Sequence, residues 1–395
     1  MNKSIGALPV VLGLAMLTLG CDDSPGPMHL IGPTTGDLEI RTTTVGVDFN
    51  SLGYDVQILY PGIGEFRHVR VPTNGTITLP GVPPGVYSLM FFDVIPNCDP
   101  VLPSPRTVTV VAGDTGTINL DVICAAPTQL AFVSGSGIDA EIYVVNSNGT
   151  GTSRITTQVG ADVNPAWSPD GGRIAFASER DGNFEIYAMN ADGTNPVRLT
   201  NASAADYRPA WSPDGARIAF VSEREGNAEI YVMNADGSNP VRLTNQDAKD
   251  GDPAWSPDGS RIAFFSGRDG PPEIYVMAAD GTNPSRLTTN GVPDSHPVWS
   301  PDGTTIAFSR GDNLGNNQIY VMNADGSRIS RLSQFVLNGS DPSWSPNGRK
   351  IAFTALYCDY FYYDECYSIL QVVRTDGAPY QLTTGQYASE PAWRP

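Results

Sequence analysis

Short apolar runs separated by turn residues fill the C-terminal two-thirds of the chain and recur at a nearly constant spacing. Tryptophan occupies positions 167, 211, 255, 299, 344 and 393, at intervals of 44, 44, 44, 45 and 49 residues. Each Trp begins a phrase that continues, in the first full copy, through 168–171, 174–176, 185–187 and 198–200. Asp-Gly pairs within the phrase supply the positive φ of tight hairpins. Each copy therefore predicts four short antiparallel strands, named A to D in chain order.

Four-stranded units of about 44 residues are typical of β-propeller blades. Strand B occurs six times, as Leu-Ala-Phe at 130–132 and as Ile-Ala-Phe in the five later copies. Strand A (Pro-x-Trp) also occurs six times, but it is missing before the first unit and appears alone at 391–393. We therefore predict six blades over 127–395, with the C-terminal strand inserted as the innermost strand of blade one.

The repeated phrase Pro-x-Trp-Ser-Pro-Asp-Gly, followed by Ile-Ala-Phe, Ile-Tyr-Val-Met-Asn and Arg-Leu-Thr, resembles TolB-type propeller repeats. The resemblance implies a six-bladed propeller in a protein of the bacterial envelope. TolB itself carries an α/β domain before its propeller, with a segment that contacts TolA. A different region stands there in this chain, so the resemblance implies a fold and not a place in the Tol-Pal system.

The region before the propeller predicts a separate β domain. Residues 21–36 are polar and rich in Pro and Gly, as in a tether. Seven short β-rich runs follow between 37 and 124, which favours a β-sandwich. The stretch 79–87 resembles prealbumin-like and carboxypeptidase-regulatory-like domains, a group with Ig-like architecture. The predicted fold class is thus all-β, and we expect the sandwich to be a spacer; a ligand site is the alternative.

The first 20 residues predict a signal peptide. Lys3 precedes the apolar run 5–19, which is too short to span a bilayer comfortably, and Gly20-Cys21 follows. Residues 17–21 resemble a bacterial lipobox, although Thr18 stands where Leu is commonest. We predict lipidation of Cys21 and an exported, periplasmic or cell-surface lipoprotein; plain secretion is the alternative.

The net charge of the chain limits the classes of partner that we expect. The formal net charge of −18 disfavours nucleic acid and anionic lipid headgroups, so membrane contact is expected only through the anchor. We expect a monomer that binds a protein or glycan partner.

The four cysteines besides Cys21 permit three disulfide pairings, of which Cys98–Cys124 and Cys358–Cys366 keep each bridge within one domain. A zinc site is the alternative, with poor spacing and no nearby His.

A search for catalytic machinery finds no Gly-x-Ser-x-Gly, no His-Glu-x-x-His and no phosphate-binding glycine loop. Histidine occurs only at 29, 68 and 296. We therefore predict a non-enzymatic binding protein without a cofactor or metal. The alternative is a metal-dependent hydrolase or polysaccharide lyase that uses Asp252, His296 and Asp341 in the channel.

One register of the repeat varies while its surroundings stay constant. The position three residues before each Trp carries a different set of side chains: Asn164, Arg208, Asp252, His296, Asp341 and Glu390. The innermost strands of a propeller start at one end of the central channel, so we expect these residues to form a ring at its mouth. A binding site and relaxed constraint both account for the variation.

Blade six carries an insertion. The distance from the strand-B Phe to strand C is nine residues in blades one to four, ten in blade five and sixteen in blade six. The added segment holds the candidate contact residues Tyr357, Tyr360, Phe361, Tyr362 and Tyr363, the last four of them between Cys358 and Cys366. Rigid exposed aromatic side chains are strong contact anchors. We predict a contact surface on the same face as the ring; a flap folded onto the blade is the alternative.

Overall fold

The computed structural model describes residues 34–46, 53–61, 66–93, 98–100, 105–124, 128–312, 316–332, 337–359, 365–374, 379–381 and 387–395. The predicted signal peptide, Cys21 and the residues Tyr360, Phe361, Tyr362 and Tyr363 lie outside these ranges. Within them, regular structure is β-strand apart from one 3-10 turn, Gly137–Asp139, which confirms the all-β class. None of the described segments forms a helix of the length and apolarity needed to cross a bilayer.

The described residues of the N-terminal domain form eight strands: Gly36–Gly46 (β1), Tyr54–Leu59 (β2), Phe66–Val71 (β3), Thr76–Val82 (β4), Gly85–Asp93 (β5), Cys98–Pro100 (β6), Arg106–Val110 (β7) and Thr115–Cys124 (β8). They form two four-stranded sheets, with orders β4-β1-β8-β6 and β3-β2-β5-β7. Strands β1 and β8 pair in parallel, and the other pairs are antiparallel. Both sheets contribute to one core, as Leu38, Ile58, Tyr87 and Leu120 illustrate.

The disulfide Cys98–Cys124 is confirmed. It joins β6 to the end of β8, where the two cysteines are direct cross-strand partners. The sequence pattern did not predict β6, because three residues are too few to show an alternation of apolar and polar positions. Tyr54 and Val122 pack against the disulfide in a small buried cluster.

Six four-stranded sheets follow, each with the order A-B-C-D. The A strands of blades one to six are Ala388–Trp393, Asp162–Trp167, Asp206–Trp211, Asp250–Trp255, Asp294–Trp299 and Leu337–Trp344. The B strands are Gln129–Ser134, Arg173–Ser178, Arg217–Ser222, Arg261–Ser266, Thr305–Gly311 and Lys350–Asp359. The C strands are Glu141–Asn146, Glu185–Asn190, Glu229–Asn234, Glu273–Ala278, Asn317–Asn323 and Glu365–Arg374. The D strands are Ser153–Arg154, Val197–Arg198, Val241–Arg242, Ser285–Arg286, Ser330–Arg331 and Pro379–Gln381.

The ring closes as predicted. Strand Ala388–Trp393 pairs with Gln129–Ser134, so that Trp393 lies opposite Leu130. Blade one is therefore built from both ends of the propeller segment. This closure removes an exposed innermost edge from the first sheet.

The B strands lie between neighbouring sheets and are buried on both faces. Ile174, Ala175 and Phe176 are fully buried. Ile174 and Phe176 cluster with Ile142 of the preceding blade, whereas Ala175 clusters with Ile218 of the next blade. Burial on both faces explains why the strands are almost continuously apolar instead of alternating.

Buried carboxylates form ion pairs with arginines within each of blades two to four. Glu185 is buried, accepts a hydrogen bond from Thr200 Oγ1 at 2.6 Å and pairs with Arg198 at 2.9 Å. Asp162, at the start of strand A, is likewise buried and lies 3.0 Å from Arg180 Nη2. These carboxylates differ from the Asp residues of the turns, whose oxygens accept hydrogen bonds from the turn itself, as Asp192 does from Thr194.

Candidate functional site

A β-bulge in each innermost strand holds the variable residue. In blade two, Val163 pairs with Ala177 and Ala166 with Ala175, so Asn164 and Pro165 together oppose Phe176. All six variable residues adopt a left-handed backbone with φ between 51° and 55°. This conformation is uncommon for residues with a Cβ, although Asn and Asp adopt it more often than most. One backbone geometry thus presents six different side chains to the channel.

The structure brings these side chains together around the axis, and we call the set the channel ring: Asn164, Arg208, Asp252, His296, Asp341 and Glu390. Arg208 lies at the centre of its contacts. The guanidinium is 3.4 Å from Asp252, 3.0 Å from Asp341 and 3.8 Å from Glu390. His296 Nε2 lies 3.2 Å from Asp341 and 3.5 Å from Asp252.

Acceptors of the ring also satisfy backbone groups of the next blade. Glu390 Oε2 accepts from the Asn164 amide at 2.6 Å, and Asn164 Oδ1 accepts from the Arg208 amide at 3.3 Å. Asp252 Oδ2 accepts from the His296 amide at 3.1 Å. An unpaired buried N–H is costly, so these contacts help to fix the bulges.

The ring carries three carboxylates against one guanidinium. Burial opposes the charge of Arg208, but Asp252, Asp341 and Glu390 raise its pKa, so it stays protonated. Burial also works against ionisation of Asp341, yet His296 and Arg208 lower the pKa of that carboxyl. In Glu390 burial prevails over Arg208 and raises the pKa. The ring therefore holds more carboxylates, three, than basic side chains, which are Arg208 and His296.

A cavity of about 530 Å³ runs from the channel ring to the end of the propeller where the A–B turns lie. Small residues such as Ala210 and Ser343 line its middle, and Trp and Pro side chains line its outer part. The tryptophans of the wall are Trp211, Trp255, Trp299, Trp344 and Trp393, and the prolines of its outer part are Pro301, Pro346 and Pro395. A largely apolar, preformed cavity with polar groups at one end is typical of a ligand site. The sequence pattern identified the ring but not this wall, although the repeated Trp-Ser-Pro was visible.

Metal binding was the alternative for part of this ring. Asp252, His296 and Asp341 do lie together, but the Arg208 guanidinium lies among them. In the part of the chain that the structure describes, no group of three or more His, Cys, Asp or Glu side chains could hold a metal ion.

The blade-six insertion extends a hairpin. Strands B and C of blade six have ten residues each, whereas those of blade two have six. Their register makes Tyr357 the partner of Tyr367 and Cys358 the partner of Cys366. The hairpin projects from the end where the A strands begin, whereas the cavity opens where they finish. The cavity thus opens at the end of the propeller opposite this hairpin, and a shared contact surface for the channel ring and the hairpin stays a prediction.

Comparison with known protein families supports the propeller that the sequence repeat predicts. The family model described as the TolB β-propeller domain matches residues 124–208 and 198–395. The chain belongs to this family. No curated protein matches the chain.

Solved structures show the same fold. TolB from Acinetobacter baumannii is 24% identical with a TM-score of 0.58, over 68% of this chain and 67% of that chain. Hydrazine synthase of Kuenenia stuttgartiensis is 15% identical with a TM-score of 0.58, over 68% of this chain and 47% of that chain. At these identities the likeness establishes the propeller fold, and that fold serves proteins of different function.

Proposed function

We propose that this TolB-family propeller is an exported, lipid-anchored binding protein of the bacterial envelope whose channel cavity takes a segment of a protein partner. The observation that carries the proposal is the cavity of about 530 Å³, which ends on a carboxylate-rich ring of fixed side chains. Its volume lies within the ~300–1,000 Å³ of ligand pockets.

The chemistry of the cavity favours an apolar segment with a donor group at its tip. Indole and proline rings along the wall are rigid, so their contact area costs little side-chain entropy on binding. The ring beyond them has an excess of acceptors, because three carboxylates face one guanidinium. A backbone amine, Lys or Arg at the tip of the partner segment would complement that excess.

Binding without catalysis is proposed because the ring carboxylates already have partners. Asp341 receives both Arg208 and His296, and Glu390 receives the Asn164 amide. A pair of groups poised as acid and base would leave one of them open to a substrate. The lipidation predicted at Cys21 and the signal peptide predicted before it support an envelope location.

Photo-crosslinking in intact cells tests the proposal. A photoreactive phenylalanine replaces Asn164, a position whose backbone geometry tolerates bulk, since Arg208 and His296 share it. The matched control places the same residue at Val197, which is 54% exposed on the outer strand of the same blade. We expect one defined protein adduct from position 164 and none from 197. Equal labelling from both positions, or an adduct that glycosidases and not proteases digest, would contradict the proposal.

A further inference from the structure

Arginine side chains cover the tryptophans at most junctions between blades. The guanidinium of Arg173 lies 5.4 Å from the Trp211 ring centroid, and those of Arg217 and Arg261 lie 4.6 Å from Trp255 and Trp299. In each case the Arg begins strand B of one blade and the Trp ends strand A of the next. Such cation–π contacts are attractive within about 6 Å of the ring centroid.

Blade one reaches the same contact by another route. Gln129 begins its strand B, and Arg394, which follows the closing strand, lies 5.0 Å from the Trp167 ring centroid. Gln129 Oε1 accepts from this Arg394 at 2.6 Å. In blade six a lysine, Lys350, begins strand B. The Nζ of Lys350 donates to Cys98 O at 3.5 Å. Among the described residues a guanidinium is thus stacked on the Trp at four of the six junctions, and five of the six blades carry a cation at the start of strand B or, in blade one, at the same Trp ring.

Blade five is the exception. Thr305 begins its strand B, and among the described residues no guanidinium lies over the ring of Trp344 in the next blade. A groove of about 470 Å³ is present at this junction, lined by Ser300, Asp302, Thr305, Trp344 and Asn347 with neighbouring turn residues. Trp344 is half-buried and its Nε1 donates to Val298 O at 3.3 Å. The indole is thus held by its edge while one face borders the groove.

The groove contains the turn carboxylate that is present in blades two to four, but it lacks the arginine that lies beside that carboxylate there. Arg173, Arg217 and Arg261 each lower the pKa of the turn Asp in their own blade, after the larger effect of the Ser hydroxyl and backbone hydrogen bonds. Asp302 occupies the equivalent turn and is held by Ser300 and Thr304. These hydrogen bonds lower its pKa, so it is ionised at neutral pH.

We infer that the groove between blades five and six binds a guanidinium group, supplied by an arginine side chain of a basic partner segment. The incoming group stacks on Trp344 and lies beside the Asp302 carboxylate, as the chain's own arginines do at the neighbouring junctions. The formal net charge of −18 favours such a basic partner. The groove shares Trp344, Pro301 and Pro346 with the wall of the channel cavity, whereas Asp302 and Thr305 line the groove alone. Variants of these two residues therefore distinguish this inference from the proposal for the channel.

Fluorine NMR of the full chain labelled with fluorotryptophan tests the inference, because the six tryptophans give separate signals and Trp344→Phe assigns one. The probes are N-acetyl-arginine amide and its uncharged isostere N-acetyl-citrulline amide. We expect the arginine probe to shift the Trp344 signal in a saturable manner, and the citrulline probe and a neutral oligosaccharide to leave it unmoved. Equal shifts with all probes, or a shift with the oligosaccharide alone, would overturn the inference.

Two variants locate the probe. Thr305→Arg supplies the missing side chain and should abolish the shift, whereas Thr305→Val keeps the size of the residue and should retain it. Asp302→Asn leaves Thr305 in place and should weaken the apparent affinity by about two- to fivefold. This second variant decides the matter if Thr305→Arg does not fold. Full response to the arginine probe in both Thr305→Arg and Asp302→Asn would show that the cation binds elsewhere.

Discussion

Arg208 Nη1 lies 3.0 Å from Asp341 Oδ1, a carboxylate three blades further around the ring, so this ion pair crosses the propeller channel. The same guanidinium contacts Asp252 on the adjacent blade. A single cation therefore ties together A strands that are far apart in the sequence. Removal of either partner leaves like charges facing one another in a confined space.

Arg208→Met tests this role. Loss of the cation leaves Asp252, Asp341 and Glu390 without compensation, and we expect the free energy of unfolding to fall by about 2 kcal/mol at pH 7, below the range for a fully buried pair because Arg208 retains 27% exposure. The loss should shrink as the pH is lowered from 7, since Glu390, whose pKa burial raises, takes up a proton first. Chemical denaturation measures both values. Arg208→Lys keeps the charge and should lose less; a Met variant as stable as the parent would refute the role.

The pH dependence of stability gives an independent check on Asp341. Its pKa in the folded protein lies below the reference value of 3.8, because His296 and Arg208 outweigh burial. The resulting stabilisation is complete above about pH 4 and is lost as the pH falls below that value. Asp341→Asn should therefore lose less free energy of unfolding than the parent between pH 5 and pH 3.

Asp206 is the matched control for that experiment. Burial raises its pKa, and Ser222 and Arg224 only partly offset the effect. Acidification therefore favours the folded state at this residue, the opposite sign. Asp206→Asn should lose more free energy of unfolding than the parent over the same range. Identical slopes for the two variants would contradict both assignments.

The repeat made the ring predictable but not its chemistry. Six-fold register alone identifies Asn164 and its equivalents, because the Pro-x-Trp that follows them is repeated while they differ from one another. The left-handed φ at these positions, 53° at Asn164, follows from a bulge that neither Pro165 nor the Trp spacing reveals. Which carboxylate faces Arg208 depends on geometry across the channel, and sequence separation carries no information about that.

Closure by the C-terminal strand predicts a large effect of a small truncation. Deletion of 389–395 removes the partner of Gln129–Ser134 and exposes that strand as an edge. We expect the midpoint of thermal unfolding to fall by about 10 °C or more and the protein to aggregate. Deletion of Pro395 alone leaves the strand intact and serves as the control. Unchanged melting of the longer truncation would contradict the closure.

Local departures from the repeat were harder to interpret from the sequence. The length of the blade-six insertion was evident, but its extension of strands B and C depends on pairing between Tyr357 and Tyr367. The groove beside Trp344 results from Thr305 in place of Arg, a change that has meaning only when the facing blade is known. Neighbouring blades come into contact through the closed ring, which no single repeat encodes.

The anchor prediction concerns Cys21. Several acyl chains, at about 0.8 kcal/mol per buried methylene, hold a protein stably at a membrane where one chain is marginal. Cys21→Ser should accumulate unprocessed precursor and abolish labelling with a radioactive fatty acid. Ser is close in size to Cys, so the substitution changes little else in the leader. Soluble mature protein of normal size from this variant would show that the chain is secreted without a lipid.

The blade-six hairpin predicts a second contact surface, at the end of the propeller opposite the cavity mouth. Cys358 and Cys366 are direct cross-strand partners, as Cys98 and Cys124 are in the disulfide of the N-terminal domain. Closely opposed strand positions suit a disulfide, and an exported protein retains one. A cross-linked hairpin loses less conformational entropy on binding than a free loop does. Aromatic residues displayed on it would therefore act as preorganised anchors.

Alanine substitution of the aromatic residues tests this surface. Tyr362→Ala or Tyr363→Ala should weaken the affinity for the partner captured from position 164 by about 1–2 kcal/mol, with little change in the free energy of unfolding. Reduction of the predicted Cys358–Cys366 bridge should weaken binding too. Without the bridge the hairpin would lose more conformational entropy when it binds the partner. Val241→Ala is the control, since Val241 is 57% exposed on an outer strand of another blade. Parental affinity in both tyrosine variants would exclude the hairpin as an anchor and leave the channel cavity as the partner's contact.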